Sequence, residues 1–120
     1  AEPLMPSPLA AILIGAVGGI IVVYGTKLLF SLQIDDVVGA VPAHLFAGIW
    51  GTLIVPATNV DASFSAQLIG VVSVNAFVFI VSYIIWSIMK VSIGLRLSKE
   101  GETKGTDVTE TGVIAYAIRD

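Results

Sequence analysis

The sequence predicts an all-α membrane protein with three transmembrane helices and a polar tail. Of its 120 residues, 56% are hydrophobic and only 12% are charged, whereas about a quarter of the residues of a soluble domain are charged. The mean hydropathy is +0.95. The apolar residues gather into three runs of about 20 residues, each long enough to cross about 30 Å of hydrocarbon as a helix.

Each element follows from the residues at its borders. Prolines at positions 3, 6 and 8 suit a helix entry, and polar stretches at 33–36 and 56–65 separate the runs. No basic region precedes the first run, which is therefore not typical of a signal peptide, and we interpret the chain as part of a longer protein or a processed one. The predicted organisation is an extracytoplasmic lead-in (1–8), a membrane region (9–95) with helices at about 9–30, 37–55 and 66–95, and a cytoplasmic tail (96–120).

The basic residues indicate the orientation. They are Lys27, Lys90, Arg96, Lys99, Lys104 and Arg119. A model with three spans and a cytoplasmic C-terminus places all of them at or beyond a cytoplasmic membrane edge, as expected for a multi-pass protein. The residues before the first helix and the loop at 56–65 then face outward. We expect a plasma (inner) membrane protein in contact with lipid.

Small and polar side chains indicate how the helices pack. Ala11, Gly15 and Gly19 recur at intervals of four, which favours close helix approach, although membrane helices are rich in small residues in any case. The third run carries four polar side chains that we expect to bond to neighbouring helices rather than to mark a permeation path. They are Ser73, Asn75, Ser82 and Ser87.

His44, the one histidine of the sequence, is the main candidate for a functional side chain. On a regular helix its face is shared by small residues that would admit a close neighbour or leave a narrow lumen. These pore-face residues are Ala40, Ala47, Gly48 and Gly51. Pro42, two residues before His44, removes a backbone donor and would bend a helix interior.

The depth of His44 makes it a functional candidate. It lies about 12 Å along the helix axis from Asp36, near the middle of the membrane. Ionisable groups at that depth are costly and usually functional, and desolvation keeps an imidazole neutral, with one nitrogen donating and the other accepting. The alternative is a histidine tied to a backbone carbonyl for packing alone.

Asp35 and Asp36 stand at the start of the second predicted helix. A carboxylate there caps the helix and meets the positive end of its dipole, and we interpret both acids as structural. Attraction of cations is the alternative, which the nearby Lys27 weakens.

Composition excludes several classes of function. The sequence has no cysteine and one histidine, so thiolate metal sites and a conventional zinc site are excluded, and we expect no metal and no cofactor. The carboxylates lie at membrane edges and in the tail, which gives no catalytic triad or dyad, and we expect no enzyme. No basic patch with interleaved aromatic residues indicates nucleic acid.

The stretch IDDVVGAVPAHLFAGIWGTL resembles the signature of the ammonium transporter family. In that signature a paired acid precedes a pore histidine by eight residues, and glycines follow four and seven residues beyond. The matching positions here are Asp35, Asp36, His44, Gly48 and Gly51. Leu45 departs from the glycine that is common after the histidine.

The tail, GLRLSKEGETKGTDVTETGVIAY, looks like the cytoplasmic tail of the same family. The matching positions are Gly94, Leu95, Arg96, Glu100, Gly105, Asp107, Glu110, Gly112, Ala115 and Tyr116. Thr106, Thr111 and Val113 depart from the family pattern, which weakens any transfer of tail-mediated regulation.

The resemblance implies the last three helices and the tail of an eleven-helix ammonium transporter, assembled as a homotrimer. His44 would be one of two facing pore histidines, and the other would lie in the remaining helices. Ammonium or ammonia would pass through a narrow apolar pore. The family also implies a soluble nitrogen-signalling protein as a possible cytoplasmic partner.

Two other functions stay open. One is an ammonium sensor or scaffold with the same membrane fold, which a signalling domain after the tail would favour. The other is a separate non-transporting subunit or three-helix assembly factor. Three helices alone do not enclose a dry, selective pore.

Overall fold

The computed structural model describes residue 2 and residues 4–114, and every regular element within them is helical. The α-helices are α1 (Pro8–Ser31), α2 (Ala47–Leu53), α3 (Phe64–Ser92) and α4 (Lys99–Lys104). Two π-helical turns span Val41–Phe46 and Asp107–Thr111, and a 3-10 turn spans Val55–Ala57. The chain divides into two compact units, Ala1–Phe77 and Val78–Asp120, so that α3 contributes to both.

Helix α1 has clear signals at both ends. Ser7 accepts a hydrogen bond from the N–H of Ala10 at 3.3 Å, and a proline stands in the first turn. At the other end Gln33 adopts a left-handed conformation with φ 57°. The N–H of Gln33 then donates to Phe30 O, and that of Ile34 to Leu29 O, which is the Schellman arrangement with glutamine in the usual glycine position.

The second apolar run forms a shorter and less regular element than the helix expected at 37–55. The helical segment Val41–Ala57 joins a π-helical turn, α2 and a 3-10 turn. Residues 37–39 form a turn in which Gly39 has φ +68°, and Val37 is 89% exposed. The physical reason is that Pro42 has no N–H to donate, so the regular α pattern starts only after it.

Helix α1 packs against the segment Val41–Ala57 through a close approach at Gly25. A Cβ on Gly25 would lie 2.6 Å from Cδ2 of Phe46 and 3.2 Å from Cβ of Pro42. Further along, the indole N–H of Trp50 donates to the carbonyl of Ile14 at 3.0 Å. These two contacts run in opposite chain directions, so the two elements are antiparallel.

Among the described residues of this chain, the close approach to α1 lies at Gly25 and not at the repeat of Ala11, Gly15 and Gly19. A Cβ on Gly15 or Gly19 would meet nothing within 4 Å among the atoms surrounding it. Gly25 lies outside the regular four-residue repeat, and its role depends on the position of Phe46, which is a tertiary property. The spacing pattern alone could not supply that information.

Helix α3 is the longest element, and together with α1 it is long and apolar enough to cross a membrane by length and composition. It covers most of the predicted helix 66–95 but begins and ends earlier, at Phe64 and Ser92. The polar side chains of Asn75 and Ser87 donate to the carbonyls of Val71 and Tyr83, four residues back in the same helix. Their recorded hydrogen bonds therefore satisfy α3 itself and not a neighbouring helix.

The unit Val78–Asp120 ends in a short folded tail. Ser98 caps α4 by accepting from the N–H of Gly101 at 3.1 Å. The hydroxyl of Thr109 donates to the carbonyls of Gly101 and Gly105, at 3.3 and 2.9 Å, and folds the second π-helical turn back onto α4. The polar tail expected from the sequence thus contains local helical structure through Thr111.

Candidate functional site

The candidate site is a cavity of about 280 Å³ between the segment Val41–Ala57 and the first part of α3. We call it the His44 cavity. Its two walls come from the unit Ala1–Phe77. The lining residues include His44, Gly48 and Thr52 on one side and Gly70, Val71 and Asn75 on the other.

His44 lies within the π-helical turn, directly before α2. The turn closes where the N–H of Ala47 donates to the carbonyls of Pro42 and His44. Such turns occur often at functional sites because they re-aim side chains relative to a regular helix. The imidazole is exposed and makes no hydrogen bond to any residue in the described part of the chain.

Gly48 keeps space open beside His44. A Cβ built on Gly48 would meet nothing within 4 Å. A larger side chain would project into this space without displacing a neighbour. The chemical character of the wall is otherwise aliphatic, from Leu45, Ile49 and Val74. The cavity thus offers a few polar groups on a largely apolar surface, which is the usual make-up of a small-molecule site.

The structure does not place all the residues predicted to share a face with His44 on the same side of the segment. Gly48 lines the His44 cavity, but Gly51 lines a different cavity of about 250 Å³ against α1, together with Ile14 and Gly15. The expected grouping assumed regular α-helical rotation from His44 onward. The wider π-helical turn advances by less rotation per residue, so Thr52 rather than Gly51 returns to the His44 side.

The other two members of the predicted face lie at the ends of the π-helical turn. Ala40 is its N-terminal flanking residue and Ala47 its C-terminal one, and both are half-buried. The N–H of Ala40 donates to the carboxylate of Asp36 at 2.8 Å. Ala40 and Ala47 thus form hydrogen bonds through their backbone N–H groups, at the start and the end of the turn.

Asp36 and Asp35 occupy different environments at the start of the segment. The two carboxylate oxygens of Asp36 accept from the N–H groups of Ala40 and Val41, each at 2.8 Å. One side chain therefore satisfies two of the donors that the start of a helix leaves free. Asp36 is half-buried, whereas Asp35 is exposed.

The tail residues singled out in the sequence stand at turns. Gly94 has φ +74° and Gly105 has φ +101°, backbone conformations that other residues adopt only with strain. A Cβ on Gly105 would lie 2.6 Å from the carboxylate of Asp107. Tyr116 lies outside the described residues.

Arg96 forms an ion pair with Glu102 in the tail. Its Nε donates to one carboxylate oxygen at 2.6 Å, and its Nη2 to the other at 3.4 Å. The hydrogen bond from Arg96 lowers the pKa of Glu102 and, in return, Glu102 raises the pKa of Arg96. Because the pair is exposed, it organises the turn before α4 locally and contributes little to overall stability.

Two residues that line the His44 cavity, Thr52 and Asn75, are not identified by the sequence pattern. Thr52 lies eight residues after His44, and its spacing would have identified it had the π-helical turn been anticipated. For Asn75, a polar residue in a membrane run, the sequence predicts a role in helix packing. Its place in the His44 cavity depends on how α3 meets the preceding segment, and no local pattern encodes that.

Comparison with known proteins gives a consistent result. The model of the Ammonium Transporter Family matches residues 4–116. A protein from Synechocystis sp. is 42% identical over 105 residues, which cover 86% of this chain and 24% of that protein. Ammonium transporter Amt2 of Archaeoglobus fulgidus is 33% identical over 130 residues, covering 91% of this chain and 28% of its own length.

The ammonium transporter of Bacillus subtilis is 31% identical over 129 residues, covering 92% of this chain and 31% of that protein. The chain thus spans between 24% and 31% of the length of these three relatives. No solved structure matches it significantly.

Proposed function

The chain belongs to the ammonium transporter family, and on this premise we propose that it forms part of a transporter that conducts ammonium or ammonia past His44. Family membership makes it part of a membrane protein with a helical bundle, and the two apolar helices α1 and α3 fit that assignment. In the proposal, the segment Val41–Ala57 is the second of three spans in this chain, between α1 and α3. The remaining helices of an eleven-helix bundle complete the pore.

The observation that carries the proposal is the state of His44. Its imidazole borders a cavity of about 280 Å³ and has no hydrogen-bond partner among the described residues. An ionisable side chain at membrane depth beside a largely apolar cavity is costly unless it has a function, which supports a role for His44 in handling substrate.

The chemistry suits a small nitrogen compound. Ammonium is costly to strip of water, whereas ammonia is small and neutral, so an apolar passage favours loss of a proton before crossing. A neutral imidazole donates through one nitrogen and accepts through the other. It can therefore bind the travelling molecule or pass on the separated proton.

The wider assembly follows the same premise. We propose a homotrimer in the plasma (inner) membrane, in contact with lipid, with the tail on the cytoplasmic side. The clustering of lysine and arginine at the predicted cytoplasmic edges supports that orientation. A neighbouring subunit or a soluble nitrogen-signalling protein is the proposed partner of the tail residues, including Gly94, Arg96, Gly105 and Asp107.

Uptake of labelled methylammonium tests the proposal. The assay uses a chimera, selected for uptake, in which this chain replaces the matching segment of the Synechocystis relative. We expect His44→Ala to reduce the initial rate by about a hundredfold or more, since one positioned acid–base group typically contributes about 10²–10⁴-fold. Ile69→Ala is the matched control, since Ile69 is 66% exposed on α3 and does not line the His44 cavity.

Full uptake with unchanged selectivity in His44→Ala contradicts the proposal. If no chimera that carries this chain takes up methylammonium although it binds ammonium, the sensor function is favoured instead.

A further inference from the structure

Trp50 makes a hydrogen bond between two helical elements that the proposed transport step does not use. Its indole N–H donates to the carbonyl of Ile14 in α1 at 3.0 Å. Among the described residues, no other hydrogen bond joins α1 to the segment Val41–Ala57. A hydrogen bond weakens steeply when its donor is misaligned, so it fixes a direction as well as a distance. The bond of Trp50 therefore constrains the rotation of the segment against α1.

Gly18 gives the indole access to that carbonyl. In an α-helix the carbonyl of Ile14 also accepts from the N–H four residues later, which belongs to Gly18. A Cβ on Gly18 would lie 3.9 Å from Cδ1 of Trp50, which is an ordinary contact. One methyl group therefore fits beside the ring, whereas a branched side chain would compete with the ring for space. Loss of the indole N–H leaves the carbonyl with its helical partner.

His44 lies between two attachments of its segment to α1. Pro42 and Phe46, on either side of it in the π-helical turn Val41–Phe46, pack against α1 through apolar groups. The bond of Trp50 lies six residues after His44, or about 9 Å further along the axis. Apolar packing has no fixed direction, so the hydrogen bond is the directional attachment. His44 itself lines the cavity toward α3.

We propose that Trp50 is a positioning residue, whose hydrogen bond to Ile14 fixes the rotation of the segment Val41–Ala57 and hence the direction in which His44 projects. Trp50 binds no substrate itself, since its N–H is used in the contact with α1. Without the bond, the imidazole is aligned with the travelling molecule in a smaller fraction of transporters. This inference rests on the proposed function and adds a residue that acts through His44.

The competing account is that the bond only satisfies the indole N–H, which usually has a partner when it is buried. In that case, loss of the bond changes the amount of folded protein but not the uptake rate per folded transporter. A positioning residue lowers the rate per folded transporter, and it does so only while His44 is present. A double-mutant cycle between Trp50 and His44 separates the two accounts.

The test measures initial methylammonium uptake by the chimera, divided by the amount of folded transporter recovered in detergent. Trp50→Phe keeps an aromatic ring and removes the N–H. We expect it to lower this rate about fivefold, the population change that one hydrogen bond supports. Trp86→Phe, the same change on α3 in the unit Val78–Asp120, is the control. Combined with His44→Ala, whose residual uptake is followed over longer times, Trp50→Phe should cause no further loss.

Gly18 provides a second test that leaves the indole chemically intact. We expect Gly18→Val to crowd the ring of Trp50 and to lower the rate per folded transporter as Trp50→Phe does. Gly18→Ala is its control and should keep the parent rate. In a chain labelled at tryptophan, the Nε1–H resonance of Trp50 should move in Gly18→Val and stay in place in Gly18→Ala. If Trp50→Phe yields no folded transporter, the two Gly18 variants decide the question.

The two proposals fail in different ways. Normal uptake by His44→Ala overturns the proposed function. A parent rate per folded transporter in Trp50→Phe, or in Gly18→Val with a displaced Trp50 resonance, overturns only the positioning role. The same fold loss from Trp50→Phe with and without His44 also overturns it, because the bond then acts on the protein without acting through the imidazole.

Discussion

The segment Val41–Ala57 has two faces that use the same spacing for opposite purposes. Toward α1 it presents Pro42, Phe46 and Trp50, each four residues apart, and these bulky side chains fill the space at Gly25 and Ile14. Toward α3 it presents His44, Gly48 and Thr52, also four residues apart, and these line an open cavity. One face therefore fixes the segment, and the other leaves room beside it.

The π-helical turn explains why residues four apart stay aligned on both faces. In a regular α-helix such a ladder drifts around the axis, since 3.6 residues complete a turn. The turn at Val41–Phe46 is wider, so successive residues rotate less and the ladder remains straighter. Pro42 removes a backbone donor at that place and sits buried against α1. The closed face thus determines the direction of His44 on the open one.

Substitution of Gly25 should give the largest change in stability. A methyl group there would lie 2.6 Å from a ring carbon of Phe46, so the ring and Pro42 must move. We expect Gly25→Ala to lower the free energy of unfolding by about 1–3 kcal/mol, the usual cost of overpacking. Thermal unfolding of the chimera in detergent measures this change.

Gly19→Ala is the matched control on the same helix, because a methyl group at Gly19 meets nothing within 4 Å. We expect it to leave stability unchanged or to raise it by up to about 1 kcal/mol, because alanine is favoured over glycine inside a helix. Equal destabilisation by Gly25→Ala and Gly19→Ala would contradict the prediction that Gly25 is tightly packed and Gly19 is not.

Substitution of Gly48 should give the opposite result. A methyl group there projects into the His44 cavity without touching a neighbour, so we expect Gly48→Ala not to lower the free energy of unfolding and to raise it by up to about 1 kcal/mol through helix propensity. Uptake of methylammonium should nevertheless fall severalfold, because the added group narrows the passage beside His44. Unfolding and uptake are measured on the same preparation. Normal uptake, or a stability loss as large as that of Gly25→Ala, would show that the two faces do not differ in this way.

The sequence predicted the features that depend on neighbouring residues in the chain, such as helix ends and caps. It did not predict the features that depend on which helices pack together. The prolines up to position 8 marked the start of α1, and Asp36 stood where a helix cap was expected. Chemistry and depth made His44 a candidate. The roles of Gly25 and Asn75 depend on which helix lies opposite, and that information is not contained in the spacing of either residue.

The π-helical turn is the clearest case of a feature that the sequence hides. A proline in an apolar run predicts a bend, but it does not say whether the chain kinks, unwinds or widens. Here the helix widens into a π-helical turn. As a result Thr52, and not Gly51, lies on the same side of the segment as His44. One local change in helix type thus altered the composition of the candidate site.

Disruption of the ion pair between Arg96 and Glu102 in the tail should give the smallest change in stability, because both side chains are exposed. The tail therefore contrasts with the packed face around Gly25. The hydrogen bond from Arg96 lowers the pKa of Glu102 below its ordinary value of 4.5. The ion pair therefore contributes fully to local order above about pH 4.5, the ordinary pKa of a glutamate. This contribution is lost as the pH falls through the lowered pKa of Glu102. We expect the Nε–H resonance of Arg96 in a labelled chain to keep its bonded position at pH 7 and to shift toward that of a free arginine in strong acid.

Glu102→Gln should show the shifted position already at pH 7, whereas Glu100→Gln, on the same helix, should behave as the parent. If the resonance does not depend on pH, or if both variants behave alike, the pair does not organise the turn before α4. The packed face around Gly25 holds through excluded volume and should show no such acid transition, because its contacts contain no group that takes up a proton.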